Sequence, residues 1–261
     1  LWMRKHEPEN FAKIAKIMLP KDYVVYKLTG VHSCDMSDAA GMLLMDVKNR
    51  CWSQELLRYC GISESQMPKL YESYEKVGCV LPDVAKELGL TAETVVAAGA
   101  GDNAAAAVGT GTVGDCACNV SLGTSGTVFI SSKEFRLPPE GNLHAFAHAD
   151  GTYHLMGCIL SAASAYGWWT KDVLKAVSDN DEQSPITEDD LGNNPVFFLP
   201  YLMGERSPHN DPDARGAFLG MTMDTSRHQM TQAILEGVAF AIRDSVEIAR
   251  GLGLHLTQSG L

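Results

Sequence analysis

The sequence predicts an α/β protein, because segments with helical spacing alternate along the chain with short apolar segments typical of strands. The clearest helix is predicted over 226–250, where apolar residues recur along one stripe. The clearest buried strand is predicted over 94–98, which is short, β-branched and followed by Gly99. A glycine-bounded turn at 123–126 joins two apolar segments, as in a β-hairpin. Helices and strands never form long separate blocks, so we expect mixed sheets.

In the first half of the chain, residues that typically begin or end helices predict four helices. Apolar residues at helical spacing predict a helix that opens at Pro8 and ends before Pro20. Three more helices are predicted over 21–28, 53–60 and 82–88, each followed within two residues by a glycine that can terminate it.

The second half is expected to contain hairpins, followed by one long helix. The predicted elements are strands over 115–122, 127–131 and 153–159, a helix over 161–176, a polar surface connection over 178–195, a strand over 196–199, a loop over 203–215 and the helix over 226–250.

Charge and composition exclude several classes of partner. With 21 Lys+Arg against 32 Asp+Glu, the formal net charge of the 261 residues is −11. Binding to nucleic acid or to an anionic membrane needs clusters of Lys and Arg, so we expect neither partner. No apolar run approaches the roughly 18–20 residues that span a bilayer, and the first residues lack the apolar region of a signal peptide.

The seven cysteines show no paired spacing that would indicate a disulfide framework or a zinc ribbon. We therefore expect reduced thiols and a cytoplasmic location. His144 and His148 have the i, i+4 spacing of zinc-binding helices, but the glutamate base and a third ligand are missing. No metal ligands are predicted among the residues of this chain.

Two glycine motifs resemble dinucleotide-binding turns without their context. The motif at 109–114 fits G-x-G-x-x-G but follows an Ala-rich helix instead of a strand. The motif at 99–104 follows a strand, yet Asp102 would place a carboxylate where a pyrophosphate must bind. Both patterns disfavour a nicotinamide-dependent dehydrogenase.

Three polar features leave two interpretations open when the residues are considered alone. Asp102 lies at the carboxyl end of a predicted strand, so it is either the cap of the following helix or a catalytic carboxylate. The Gly123–Gly126 turn is either an ordinary hairpin turn or a phosphate contact made through close backbone approach. The polar loop at 205–212 is either functional or an ordered connection.

Several segments, taken together and in order, resemble the FGGY family of carbohydrate kinases. The matching segments are LPKDY (19–23), SCDMSDAAG (33–41), GDNAA (101–105), SLGTSG (121–126), LSAAS (160–164), FLPYLMGER (198–206) and GAFLGM (216–221) with QM (229–230) and AILE (233–236).

The resemblance implies an actin-like, ribonuclease-H-like ATPase fold within the α/β class, with parts of two domains. Residues 1–110 would be the C-terminal portion of the first, sugar-binding domain. Residues 111–261 would be the N-terminal portion of the second, nucleotide-binding domain. The chain would then be an internal fragment that opens inside the family's first signature and stops before its glycine-rich adenosine loop.

The resemblance also implies ATP-dependent phosphorylation of a sugar, with Asp102 as the catalytic base. Sugar and ATP would be the partners, and a homodimer is left open. Mg²⁺ would bridge the ATP phosphates, largely through water and nucleotide oxygens. The implied sugar-binding residues are Asp102, Asn103, Met36 and Asp38, and the implied nucleotide-binding residues are Gly123, Thr124, Ser125 and Gly126. The alternatives are another sugar or polyol kinase of the same family, acting on ribulose, gluconate or glycerol, and a truncated, non-catalytic binding module.

Overall fold

The computed structural model describes residues 1–178, 182–256 and 258–260, and for 258–260 only the backbone. The chain divides into two compact units. Unit 1 comprises Leu1–Gly114, Lys133–Phe135 and Ala145–His154, and unit 2 comprises Asp115–Ser132, Arg136–His144 and the described residues from Leu155 onward.

Unit 1 contains seven helices in its described residues, most of them short. They are α1 Trp2–His6, α2 Pro8–Phe11, α3 Pro20–Thr29, α4 Met36–Ala39, α5 Gln54–Cys60, α6 Pro82–Leu88 and α7 Asp102–Gly109. The predicted helices over 21–28, 53–60 and 82–88 are confirmed as α3, α5 and α6. Each ends at a glycine in the left-handed region, Gly30, Gly61 or Gly89.

The long helix predicted between Pro8 and Pro20 is wrong, since only α2 forms there. The backbone after α2 instead pairs with a distant segment. Ile17 N donates to Gln66 O at 2.9 Å, and Gln66 Nε2 donates to Ile14 O at 2.8 Å. Tertiary hydrogen bonds here outweigh the helical spacing of the apolar residues.

Three two-stranded sheets complete unit 1. In these, β1 Ser33–Asp35 pairs in parallel with β4 Lys69–Tyr71, while β2 Met45–Asp46 pairs with β3 Cys51–Trp52, and β5 Lys76–Cys79 with β6 Val95–Ala97, both antiparallel. The predicted strand over 94–98 is confirmed as β6, but the prediction that it is buried is wrong. Val95 is 55% exposed, and Ala97 on the same face of the strand is exposed as well.

The core of unit 1 lies beneath the β1–α4 connection. Its buried members are Cys34, Ala39, Ala40, Met45, Trp52, Leu57, Met67 and Ala147. Because residues on both sides of the connection are buried in this cluster, the connection itself is held in place.

The largest sheet contains the β-hairpin of unit 2. Its strands are β7 Ala117–Leu122, β8 Gly126–Ser132, β9 His144–Ala147, β10 Tyr153–Ile159 and β13 Gln258–Gly260, in the order β13-β7-β8-β10-β9. By the division of the chain given above, β9 after His144 and the first two residues of β10 belong to unit 1. In unit 2, β11 Phe197–Leu199 and β12 Ala217–Leu219 form a separate antiparallel pair. The predicted hairpin over 115–131 and the strand over 153–159 are confirmed, and β13 runs parallel to β7.

The helices of unit 2 pack against the β11–β12 pair. They are α8 Ala163–Gly167, a π-helical continuation over Trp168–Val173, and α9 Arg227–Gly251 with a capping box formed by Ser226 and Gln229. Buried Trp169, Phe198 and Ile234 join these elements in one cluster. The helix predicted over 161–176 therefore begins two residues later and changes its hydrogen-bond pattern at Trp168.

Within the described parts of the chain, no helix is long and apolar enough to cross a membrane. None of the seven cysteines, all of which are described, forms a disulfide. Residues 179–181 of the predicted surface connection lie outside the described residues.

Candidate functional site

The connection from β1 to α4 carries two of the predicted site residues, Met36 and Asp38. It is short because Asp35 is both the last residue of the strand and the N-cap of the helix. The Asp35 carboxylate accepts hydrogen bonds from the backbone N–H of Ser37 at 2.9 Å and of Asp38 at 3.3 Å. This cap fixes the first turn of α4, where Met36 and Asp38 lie.

Asp102 is the first residue of α7, and its side chain is exposed. Gly101 is the N-cap, so the interpretation of Asp102 as the capping residue is wrong. Asp102 Oδ1 instead accepts from the neighbouring Asn103, from its backbone N at 2.7 Å and its Nδ2 at 3.1 Å. These bonds leave lone pairs of the carboxylate open to a ligand.

Asp38 and Asp102 belong to one group of carboxylates in unit 1. Ser37 Oγ accepts a hydrogen bond from Gly101 N at 3.0 Å, which ties α4 to the start of α7. A Cβ on Gly101 would lie 3.4 Å from Asp38 Oδ1, so the two segments pack closely. Burial raises the pKa of Asp38, the charge of Lys21 opposes this, and nearby carboxylates including Asp102 add to the rise.

Met36 has other contacts. It packs against the core cluster of unit 1 and lines a cavity of about 560 Å³ together with His32, Trp52 and Leu70. The structure therefore brings Asp38, Asp102 and Asn103 together, while no contact described for Met36 joins it to them.

In unit 2, the Gly123–Gly126 turn joins β7 to β8, and its carbonyl groups are tied to the segment that begins α8. Thr124 O accepts from Ala162 N at 3.1 Å and from Ser164 Oγ at 2.7 Å. Gly123 O accepts from Ala163 N at 2.9 Å. The turn is thus fixed from its carbonyl side.

The opposite side of the turn offers hydrogen-bond donors. Within the described part of the chain, the backbone N–H groups of Thr124 and Ser125 donate to no acceptor, and Thr124 is exposed. A Cβ on Gly123 would meet only Ser125 O, at 3.7 Å, whereas one on Gly126 would lie 3.1 Å from Ala162 Cβ. Successive unused N–H groups beside a glycine are the usual chemistry of a phosphate-binding turn.

His148 of the i, i+4 pair is held by hydrogen bonds to backbone groups. His148 is fully buried, its Nδ1 accepts from Ala149 N at 2.7 Å, and its Nε2 lies 2.9 Å from Thr112 O. Among the described residues, no group of three or more His, Cys, Asp or Glu side chains is placed to hold a metal ion.

The sequence did not single out four polar residues that lie near Asp38 in unit 1, namely Lys21, Asp22, Asp35 and Ser73. Lys21 lies 2.8 Å from Asp35 Oδ1 and 3.0 Å from Asp22 Oδ1, and Ser73 Oγ donates to Asp35 at 3.0 Å. The adjacent Lys21 and Asp22 in the LPKDY segment were a visible signal. Ser73 had none, because it is 38 residues from Asp35 along the chain.

Comparison with known proteins gives matches in both halves of the chain. Residues 1–109 match the model of the FGGY family of carbohydrate kinases, N-terminal domain. Residues 118–258 match the model of the C-terminal domain of the same family.

Individual relatives extend this similarity. The chain is 44% identical to the xylulose kinase of Escherichia coli strain K12 over 256 residues, which covers 97% of this chain and 52% of the relative. The crystal structure of a "xyloylose kinase" from Brucella ovis superposes with a TM-score of 0.93 at 45% identity, covering 99% of this chain and 54% of that one. That of gluconate kinase from Lactobacillus acidophilus gives a TM-score of 0.86 at 27% identity, covering 95% and 51%.

The chain thus spans about half the length of the curated relatives that it matches. The α/β class is confirmed, and the fold is that of the actin-like ATPases found in these sugar kinases. Since the C-terminal domain model alone matches 118–258, more than half of the chain, the chain belongs to the FGGY family of carbohydrate kinases.

Proposed function

We propose that this chain is part of an enzyme that transfers the γ-phosphoryl group of ATP to D-xylulose, giving D-xylulose 5-phosphate. The observation that carries the proposal is the 44% identity to the Escherichia coli xylulose kinase across 97% of the chain. The exposed carboxylate of Asp102 and the unused N–H groups of the 123–126 turn support it.

In the proposed mechanism, unit 1 holds the sugar. Asp102 orients the attacking hydroxyl group. As the new O–P bond forms, the bond between the γ-phosphorus and the bridging oxygen breaks, ADP leaves, and the hydroxyl proton passes to a carboxylate oxygen of Asp102. Asn103 offers an amide, and Asp38 a second carboxylate, for other hydroxyl groups of the sugar. Met36 is also assigned to the sugar, through an apolar contact. In a loose transition state the orientation of the hydroxyl group matters more than its early deprotonation, so the base need not be strong.

In the same mechanism, unit 2 holds the nucleotide phosphates. The backbone N–H groups of Thr124 and Ser125 donate to phosphate oxygens, and the Thr124 hydroxyl adds a further donor. The Ser125 hydroxyl donates to Leu160 O at 3.5 Å, so Ser125 contributes through its backbone. These donors neutralise the charge that develops on the phosphate oxygens in the transition state. Gly123 keeps the backbone of the turn bare enough for close approach of the phosphates. Gly126, where a Cβ would lie 3.1 Å from Ala162 Cβ, lets the turn pack closely against the segment that precedes α8.

The enzyme would use Mg²⁺, which when bound neutralises the charge of the ATP phosphates. The donor set of the turn fits phosphate oxygens and not a cation, so we assign the metal to phosphate oxygens and water and to no residue of this chain. We further propose that the enzyme is cytoplasmic and that its partners are the sugar and ATP. A homodimer is the oligomeric state to be tested, by sedimentation.

Gluconate is a second candidate substrate, because the gluconate kinase of Lactobacillus acidophilus superposes with a TM-score of 0.86. The test is a panel of assays on the complete gene product that contains this chain, with ADP release measured for D-xylulose, D-ribulose, gluconate and glycerol.

We expect the highest kcat/KM for D-xylulose. A higher kcat/KM for gluconate or another sugar would leave the family intact and overturn the substrate. No ADP release with any of these compounds would favour the non-catalytic module. ADP release that does not depend on a sugar would show ATP hydrolysis and would overturn the proposed sugar phosphorylation.

A further inference from the structure

A fully buried carboxylate lies at the centre of a polar network in unit 1. Asp35 is 0% exposed, and its Oδ2 accepts from Ser37 N at 2.9 Å, Ser37 Oγ at 2.5 Å and Ser73 Oγ at 3.0 Å. Its other oxygen, Oδ1, forms an ion pair with Lys21 Nζ at 2.8 Å. With the bond from Asp38 N at 3.3 Å, four residues contact the Asp35 carboxylate: Ser37 and Asp38 in α4, and Lys21 and Ser73 from elsewhere in the unit.

Lys21 links the network to a second buried carboxylate and to the backbone. Its Nζ lies 3.0 Å from Asp22 Oδ1 and donates to Ala98 O at 3.1 Å. Burial lowers the pKa of Lys21, but the hydrogen bonds and charges of Asp35 and Asp22 outweigh it, and the net shift is upward. Lys21 therefore stays charged near neutral pH.

The network holds the four residues that precede Asp102, referred to here as the 98–101 loop. Lys21 Nζ binds the carbonyl of Ala98, Ser73 O accepts from Gly99 N at 3.1 Å, and Ser37 Oγ accepts from Gly101 N at 3.0 Å. The backbone groups of three of the four loop residues are thus bound by Lys21, Ser73 and Ser37. Each of these three residues also contacts Asp35.

We propose that Asp35, Lys21 and Ser37 are positioning residues that fix the 98–101 loop, so that the carboxylate of Asp102 is held at one place beside Asp38. This inference rests on the proposed role of Asp102 as the base. Misplacing a reacting group by about 1 Å can cost on the order of 100-fold in rate. The network therefore acts on the rate of phosphoryl transfer and leaves ATP binding unchanged.

A contribution to the stability of the fold does not explain why this buried network contains charged residues. A buried ion pair often contributes little net stability compared with apolar residues of similar volume. A neutral cap such as serine would also serve the start of α4. What the network adds is the position of the loop. Lys21 binds Ala98 directly, while Ser73 and Ser37, whose hydroxyls donate to Asp35, bind Gly99 and Gly101.

The test compares Ser37→Ala with Ser53→Ala in the complete gene product. Both changes delete one hydroxyl near the start of a helix, but only Ser37 contacts the loop, since Ser53 caps α5 through Leu56 N at 3.3 Å. Asp35→Asn, which keeps the shape of the side chain, is the stronger variant. The readouts are kcat per ATP-binding site counted by titration, KM for ATP, and the melting temperature.

We expect Ser37→Ala to lower kcat about tenfold and Asp35→Asn about 100-fold, with KM for ATP within about twofold of wild type. Ser53→Ala should keep the wild-type kcat. Wild-type kcat per site in Ser37→Ala, or an equal loss in Ser53→Ala, would overturn the positioning role. If Asp35→Asn does not fold, Ser37→Ala decides the question by itself.

The variant Asp102→Asn separates this inference from the proposed function. If Asp102→Asn is inactive while Ser37→Ala has the kcat of wild type, the positioning proposal fails and the function stands. If Asp102→Asn keeps its activity, the assignment of the base fails, and the positioning proposal fails with it.

Discussion

At the scale of single residues, the carboxylates of unit 1 differ in burial, and this difference separates those that hold the backbone from the one that can meet a substrate. Asp35 and Asp22 are fully buried and pair with Lys21, whereas Asp102 is exposed and bonded only to its neighbour Asn103 among the described residues. A carboxylate that must receive a substrate proton needs access. Carboxylates that hold backbone need burial and several donors. The network and the candidate base thus have complementary surroundings.

A buried histidine outside the candidate site predicts sensitivity to acid. His154 on β10 is 4% exposed and its ring stacks on Phe146 at 5.2 Å. Burial, with a smaller effect of His148, lowers the pKa of His154 to about 3 from its ordinary value of 6.5. Below pH 6.5 the unfolded chain binds a proton that the folded chain excludes, so stability falls from pH 6.5 towards pH 3.

The variant His154→Phe should remove this part of the pH dependence, since phenylalanine keeps the ring without the titratable group. Between pH 7 and pH 5, wild type should lose about 2 kcal/mol more of its free energy of unfolding than the variant. Urea unfolding at both pH values measures the difference. The same change at the exposed His6 is the matched control. Equal losses in wild type and His154→Phe would refute the assignment.

At the scale of elements, local signals predicted those elements whose ends are fixed by their own residues. Helix α5 followed from its cap Ser53 and its terminator Gly61, and α9 from the stripe of apolar residues that follows Ser226. The β7–β8 hairpin followed from its glycine turn. In each of these, the determining contacts lie within a few residues along the chain.

Elements and contacts that depend on distant partners could not be predicted. The helix expected after Pro8 is interrupted because Ile17 N donates to Gln66 O and Ile14 O accepts from Gln66 Nε2. Likewise, the burial of β6 depends on which distant segments pack against the strand, and these contacts are not encoded in its own residues. The same limit holds for the candidate site: the sequence singled out Asp102, but not Ser73, whose contact with Asp35 spans 38 residues.

The glycine turn makes a prediction at this scale. We expect Gly123→Val to fold normally, because a Cβ there meets no atom closer than 3.7 Å, and to raise KM for ATP about tenfold while lowering kcat. The reason is that a branched side chain keeps phosphate oxygens from the N–H groups of the turn. ATP kinetics of the complete gene product measure the effect.

The control is Gly109→Val, at a helical position where a Cβ meets nothing within 4 Å, and it should leave KM for ATP unchanged. By contrast, Gly126→Val should lower the melting temperature, because its Cβ would press on Ala162 at 3.1 Å. Unchanged ATP kinetics in a folded Gly123→Val variant would make the segment an ordinary hairpin turn.

At the scale of the whole molecule, the proposal assigns the sugar to unit 1 and the nucleotide to unit 2. Matches to the two family domains fall at 1–109 and 118–258, while the units divide near Gly114. Variants of unit 1 should therefore change kcat for the sugar, and variants of the turn in unit 2 should change KM for ATP. Phosphoryl transfer depends on both units, but the proton transfer depends on Asp102 of unit 1.

The central claim is that Asp102 accepts the proton of the sugar hydroxyl, and kcat of Asp102→Asn for D-xylulose phosphorylation tests it most directly. Asparagine can still accept the hydrogen bond from Asn103, so the melting temperature should stay close to that of wild type. It cannot accept a proton, so kcat should fall by about 10²–10⁴-fold while ATP still binds. Asp83→Asn, which removes an exposed carboxylate from the first turn of α6, is the matched control and should keep the wild-type kcat. Retention of more than about a tenth of the wild-type kcat by Asp102→Asn would contradict the account.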